Sequence, residues 1–193
     1  YPKNDFKNLN ILKQVDRNST LNLVFIGSYN HEPNYDAVNY FVNKIYPLLS
    51  KKLKTKLYLV GPDENRILNL ESKNIFVTGK IKDLNSLLSK VDIAISPLRF
   101  GAGNKGKMLT YAMHNLPVVC SKISIEGTVF EHEKDCIIVD PEHVEKFADA
   151  IERVFLEKNL KSKISNNLHK SFIEKYSFDK GFEYLDNDKR FQV

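Results

Sequence analysis

Apolar residues along this chain fall into two alternating spacings. Residues 21–27 (LNLVFIG) form a continuous apolar run closed by glycine, the pattern of a strand buried on both faces. Residues 34–52 then carry Ala37, Phe41, Ile45, Leu48 and Leu49 at helical spacing, with Pro33 near the start. Pro47 interrupts that pattern and predicts a kink or the start of the last turn. Residues 57–61 (LYLVG), 74–79 (NIFVTG) and 91–97 (VDIAISP) predict the next three strands. A weakly helical stretch, residues 64–70, and a short helix capped by Asp83 with Leu84, Leu87 and Leu88 on one face separate them. Beyond a glycine-rich loop, residues 107–114 predict a helix with Asn115 as its stop. Residues 116–120 and 136–139 predict the fifth and sixth strands. Residues 142–158 carry Val144, Phe147, Ala148, Ile151, Val154 and Phe155 on one helical stripe. Further helix is expected at 160–176, and a shorter piece at 178–185.

Strands alternating with helices predict an α/β fold of three layers, a central parallel sheet of about six strands covered by helices on both faces. The opening residues, 1–20, are polar and without periodicity. They read as a linker or the remnant of a preceding domain, followed by one domain over 21–176 and a helical extension over 177–193. Ligands of such sheets bind beyond the carboxyl ends of the strands, where Gly27, Gly61, Gly79 and the glycine loop all fall.

Composition narrows the class. With 42% hydrophobic and 27% charged residues, the 193-residue chain is expected to bury a real core. No apolar run approaches the roughly 20 residues of a membrane span. Cys120 and Cys136 each sit in an apolar strand-like run, which predicts buried reduced thiols and a cytoplasmic setting. No Cys/His spacing suggests zinc. The net charge of +5 is mostly solvated lysine surface; its functional reading is attraction to phosphorylated substrates or to an anionic membrane on its inner face. No nucleic-acid motif is present.

The segment SPLRFGAGNKGKMLTYAMHNLPVVCSKISIEG, residues 96–127, carries the candidate chemistry. Gly101, Gly103 and Gly106, with Lys105 and Lys107, stand between a strand and a helix. Flexible backbone N–H groups, ammonium charge and a helix N-terminus favour a phosphate there. An ordinary turn explains the glycines alone. The spacing is neither GxxxxGK[ST] nor a GxGxxG placed after the first strand.

These residues resemble the signature PLxxGxGxKxKxLEAMAxGxPVVxTxxGxEG of the retaining GT-B glycosyltransferases of family 4, the glycosyl transferases group 1. FIGSYNHEPNYDAVNYFVNKIYPLL and VTGKIKDLNSLLSKVDIAISPL are similar to two further stretches of that group's second domain. The resemblance covers roughly residues 21 to 176. It implies one of the two Rossmann-like halves of a GT-B enzyme, the half that binds a nucleoside-diphosphate sugar; its partner would be the acceptor-binding N-terminal domain of the parent chain, expected to be missing here or reduced to the opening residues. It places Gly27 and Ser28 under the donor phosphates and Gly101, Gly103, Lys105 and Lys107 in the loop facing diphosphate and sugar. Ile81 would line the base pocket, and Leu109 and Thr110 would lie near the ribose. It implies no metal cofactor, and the region has no DxD-like metal motif. Alone, the half is expected to be inactive.

Departures from the pattern matter chemically. The family has a ribose-binding Glu where this chain has Thr110, which offers one hydroxyl and no charge. The partner Glu of the E-x7-E pattern falls at Ala102, and Ser28 and Asn34 stand where many members carry Arg and Lys. The alternative function is therefore a non-catalytic interaction module within a polysaccharide-synthesis protein. His31 reads as a solvated loop residue that could face the donor, Glu126–Gly127 as a turn, and the Tyr176–Phe178 trio as packing of the last helix.

Overall fold

LNLVFI forms β1 (Leu21–Ile26), the centre of the sheet, in a computed structural model that describes residues 19–101 and 106–176. Its alternation is functional in both directions. Leu21, Leu23 and Phe25 join one core cluster while Val24 joins the other, so the strand is buried on both faces. The strands β2 (Thr55–Val60), β3 (Ile75–Gly79), β4 (Ile93–Ser96), β5 (Val118–Cys120) and β6 (Ile137–Ile138) complete one sheet. The order is β3-β2-β1-β4-β5-β6 and every pairing is parallel, with Leu23 opposite Leu57 on one side and Ile93 on the other. This is the six-stranded parallel sheet that the alternation predicted, in the Rossmann-like arrangement that the resemblance implied. The chain reverses direction across the sheet between β1 and β4, which makes that gap the topological switch point.

The long helix after β1 is α1 (Glu32–Tyr40) running into α2 (Tyr46–Lys52) through one π-helical turn, Phe41–Ile45. Pro47 explains that turn. A proline has no N–H for the carbonyl four residues back, and widening the helix just before it absorbs the mismatch. α5 (Val144–Leu156) lays Phe147, Ala148, Ile151, Val154 and Phe155 against the same sheet face, with Phe147 edge-on to Phe41. Lys52 ties α2 to α5 through Asp149 at 2.6 Å and Glu152 at 2.8 Å; these carboxylates push its pKa up to about 12. The opposite face carries α3 (Leu84–Leu88), α4 (Gly106–Met113) and α6 (Lys158–Tyr176). Asp83 caps α3 as its position predicted, accepting from the Ser86 N–H at 3.0 Å. Asn115 ends α4 in the left-handed region, φ 53°, one of the few residue types that adopt it readily.

The weakly helical stretch after β2 resolves into two 3-10 turns, Glu64–Arg66 and Leu68–Leu70. The fifth strand starts two residues later than predicted, because Pro117 donates no hydrogen bond, although its carbonyl still accepts from Ala94. Cys120 and Cys136 are buried and unbridged, and their mutual hydrogen bond and burial push the Cys120 thiol upward. Residues 1–18, the predicted helix at 178–185, Phe178 and the loop residues Ala102, Gly103, Asn104 and Lys105 lie outside the described residues. Tyr176 packs against Phe130 and Phe172 with ring centroids 6.2 Å apart in each pair.

Candidate functional site

Three glycines close the carboxyl ends of β1, β2 and β3. Gly27 N–H bonds Val60 and Gly61 N–H bonds Gly79, each at 2.9 Å. Gly61 holds φ +139°, and a Cβ there would lie 2.0 Å from the Gly27 carbonyl oxygen. The backbones at this rim therefore approach more closely than any side chain permits. Gly101 enters the loop after β4 with φ +109°, and its missing Cβ makes room for Pro33 in the first turn of α1. Arg99, two residues earlier, grips Asp36 of α1 through Nε (2.9 Å) and Nη2 (2.5 Å) and lies over the Tyr40 ring. Loop and helix are thus clamped together at the switch point.

Lys107 enters the same place from α4. Its ammonium donates to Asn34 Oδ1 and sits 4.3 Å from the centroid of the Phe25 ring. Asn34 Nδ2 donates to the Ser28 carbonyl at 2.9 Å, and its amide covers Gly27. Gly27, Ser28, Gly101 and Lys107, four of the residues singled out in the sequence, are joined around the start of α1. Tyr111 anchors α4 behind them. Its buried hydroxyl accepts from the Ile26 N–H at 2.9 Å and donates to the Ile95 carbonyl at 3.3 Å, and burial pushes its pKa up.

The β2 side of the rim has the opposite charge. The Ser28 hydroxyl donates to Asp63 Oδ2 at 2.8 Å, and the Glu64 carboxylate lies where a Cβ on Gly79 would stand, 3.0 Å away. An anion would be repelled from this half and drawn to the Lys107 half, while hydroxyl groups would suit the carboxylates. Ile81 and Leu109 are half-buried and pack on the second core cluster, apart from this group. Thr110 turns its hydroxyl back to the Gly106 carbonyl of its own helix at 3.0 Å. His31 is exposed and its side chain makes no capping bond; Glu126 is exposed beside a turn in which the Thr128 N–H bonds the Ile125 carbonyl.

Beside the rim, over β4 to β6, lies a cleft of about 430 Å3 whose lining includes Leu98, Arg99, Ser121, Ile138, Asp140 and Glu142. Among the described residues no three His, Cys, Asp or Glu side chains cluster as metal ligands. The hydroxyls of Tyr29 and Ser96 are buried and have no partner among the described residues.

Asn34, Asp63 and Tyr111 were not singled out for these contacts in the sequence. Asn34 left a signal. It stands three residues before Ala37 and seven before Phe41, which puts an amide on the buried face of α1, where it must find partners. Asp63 and Tyr111 left none, since their partners are distant in the chain.

The family model described as Glycosyl transferases group 1 matches residues 20–157. The chain belongs to that family. An uncharacterized 44.6 kDa protein in the cps region of Klebsiella pneumoniae is 26% identical over 132 residues, which are 63% of this chain and 34% of that protein. The fold is that of the C-terminal domain of a Glycosyl Transferase Group 1 Family Protein (LpcC) from Francisella tularensis. The TM-score is 0.68 at 18% identity, with 82% of this chain and 87% of that one covered. It is also that of Anabaena HepE solved in complex with UDP and glucose, at TM-score 0.67 and 12% identity, with 88% of this chain and 49% of that one covered. The glycosyltransferase-family chain thus spans about a third of the Klebsiella relative and about half of HepE. No helix among its described residues is long and apolar enough to cross a membrane.

Proposed function

We propose that the chain is the donor-binding domain of a glycosyltransferase that draws its sugar from a nucleoside diphosphate and transfers it, with retention, to a glycan, lipid or protein acceptor. The observation that carries this reading is the meeting of Gly27, Gly101, Asn34 and Lys107 at the switch point between β1 and β4. A diphosphate leaving group gains negative charge as the glycosidic bond breaks. An ammonium and helix N–H groups fixed beforehand stabilise that charge without reorganising. Lys107 and the N-terminus of α4 stand ready for this role, and Lys105 and Gly103 would add to it from the loop between them. Carboxylates at Asp63 and Glu64 suit hydroxyl groups of the ribose or sugar, a role Thr110 does not fill with its hydroxyl turned into α4. No metal is required in this scheme. HepE, a relative in fold, was solved with UDP and glucose, which supports the ligand class. The second, acceptor-binding domain would close the cleft, and the lysine excess would favour an anionic membrane surface nearby.

Calorimetric titration of the 193-residue chain with UDP-glucose and GDP-mannose tests the reading. One of the two is expected to bind, with EDTA making no difference, and Lys105→Ala and Lys107→Ala each weakening it about tenfold. A folded chain that binds neither at millimolar concentration would instead support a non-catalytic module in a polysaccharide-synthesis protein. The engaged hydroxyl of Thr110 is the observation that favours that second reading.

A further inference from the structure

We infer that the cleft over β4 to β6 is a site for an uncharged pyranose, recognised mainly through the hydrogens of its hydroxyl groups. The inference goes beyond the donor-site reading and does not depend on it.

The cleft holds about 430 Å3, within the roughly 300–1,000 Å3 of small-molecule sites. Leu98 after β4, Ile138 of β6 and Pro141 before α5 give its lining apolar surface. Its polar groups are mostly hydrogen-bond acceptors, and a chain of buried hydroxyls decides this at Ser121. Ser124 Oγ donates its one hydrogen to the Ser96 carbonyl at 2.6 Å. It can therefore only accept from Ser121 Oγ, 3.0 Å away. Ser121 spends its own hydrogen inward and has only lone pairs to offer the cleft it lines, although the residue is just 3% exposed. Across from it, Asp140 and Glu142 add two carboxylates to the lining. Asp140 Oδ1 accepts from the Glu142 N–H at 2.9 Å, which leaves Oδ2 for a ligand.

Charge sorts the ligand further. Arg99 also lines the cleft, but Asp36 holds its guanidinium through both Nε and Nη2. Lys122 then supplies one ammonium against the two carboxylates. An anion meets net repulsion here, whereas a neutral hydroxyl group finds several acceptors and one donor. A diphosphate is thus a poor occupant. A pyranose presents hydroxyl groups along its edge for the acceptors and C–H groups on its faces for Leu98, Ile138 and Pro141.

Methyl-detected NMR of the 193-residue chain tests the site with matched pairs of probes: methyl glucoside with methyl glucuronide, and methyl galactoside with methyl galacturonide. At least one neutral glycoside is expected to shift the Leu98 and Ile138 methyls saturably at millimolar concentration, and its uronide to bind at least about threefold more weakly. Ser121→Ala strands no donor and is expected to weaken the neutral glycoside about threefold. Glu142→Gln, at an exposed position, is expected to narrow the gap between glycoside and uronide. The sugar could belong to a donor or to an acceptor, and further titrations separate the two. Shifts caused by UDP-glucose but not by UDP would assign the cleft to a donor sugar. Glycoside shifts that persist at saturating UDP-glucose would assign it to an acceptor. Glycoside binding by a chain that binds no nucleotide would sink the donor-site reading and leave this site standing. No methyl shift with either neutral glycoside at about 100 mM, a uronide that binds as tightly as its neutral partner, or Ser121→Ala without effect would overturn the inference.

Discussion

Single atoms decide much at the strand ends. Gly61 and Gly127 both hold positive φ, +139° and +76°, but a Cβ at Gly61 would strike the Gly27 carbonyl, whereas nothing lies within 4 Å of the same atom at Gly127. Gly127→Ala is expected to cost about 1 kcal/mol, the backbone strain alone. Gly61→Ala is expected to cost about 3 kcal/mol or more, because the collision is with backbone that cannot swing away. Urea denaturation midpoints at constant m-value would separate the two. Both glycines are visible in the sequence as strand or loop ends, yet nothing local ranks them; the difference is made by a carbonyl from another strand. The same limit applies to the candidate site. Gly27, Gly101 and Lys107 were legible as a phosphate-type pattern, while the Asn34 contact and the inward turn of the Thr110 hydroxyl were not.

At the level of elements, periodicity was a good guide wherever an apolar face meets the sheet. α1, α4, α5 and α6 lie within about two residues of their expected positions, since burying such a stripe outweighs local preference. The prediction was weakest where the backbone is bent by chemistry rather than pattern, as in the π turn before Pro47 and the shortened β5 after Pro117. How α6 is held was also hidden. Asp135, fully buried in the β5–β6 connection, accepts from the Glu131 N–H at 2.9 Å and from the Ser171 hydroxyl of α6 at 2.8 Å. Asp135→Ala would strand two donors and is expected to destabilise the fold by about 3 kcal/mol. Ser171→Ala, which removes a partner and strands none of the donors, should cost about 1 kcal/mol by the same chemical denaturation.

For the molecule as a whole, alkaline stability follows from the buried tyrosines. Burial raises the hydroxyl pKa of Tyr29, Tyr46 and Tyr111 above the ordinary value of 10.0. The native state therefore keeps protons that the unfolded chain releases above that pH. Their contribution is full below pH 10 and falls as pH rises toward the raised native values, by about 1.4 kcal/mol per pH unit for each fully protected hydroxyl. Stability measured between pH 9 and 11 should decline, and Tyr111→Phe should make the decline shallower. Length, the strand–helix alternation, the two-faced burial of β1 and the glycine–lysine loop with its family likeness were all determined by the sequence itself, because they depend on neighbours one to four residues apart. Only the tertiary structure decided which strands flank β1 and which charges meet at the gap between β1 and β4. It also decided that Lys107 of α4 reaches the Asn34 amide and that Arg66 and Arg99 pair with carboxylates of α1. Those pairings join residues tens of positions apart, and such contacts are selected by packing the whole sheet at once rather than by any local preference.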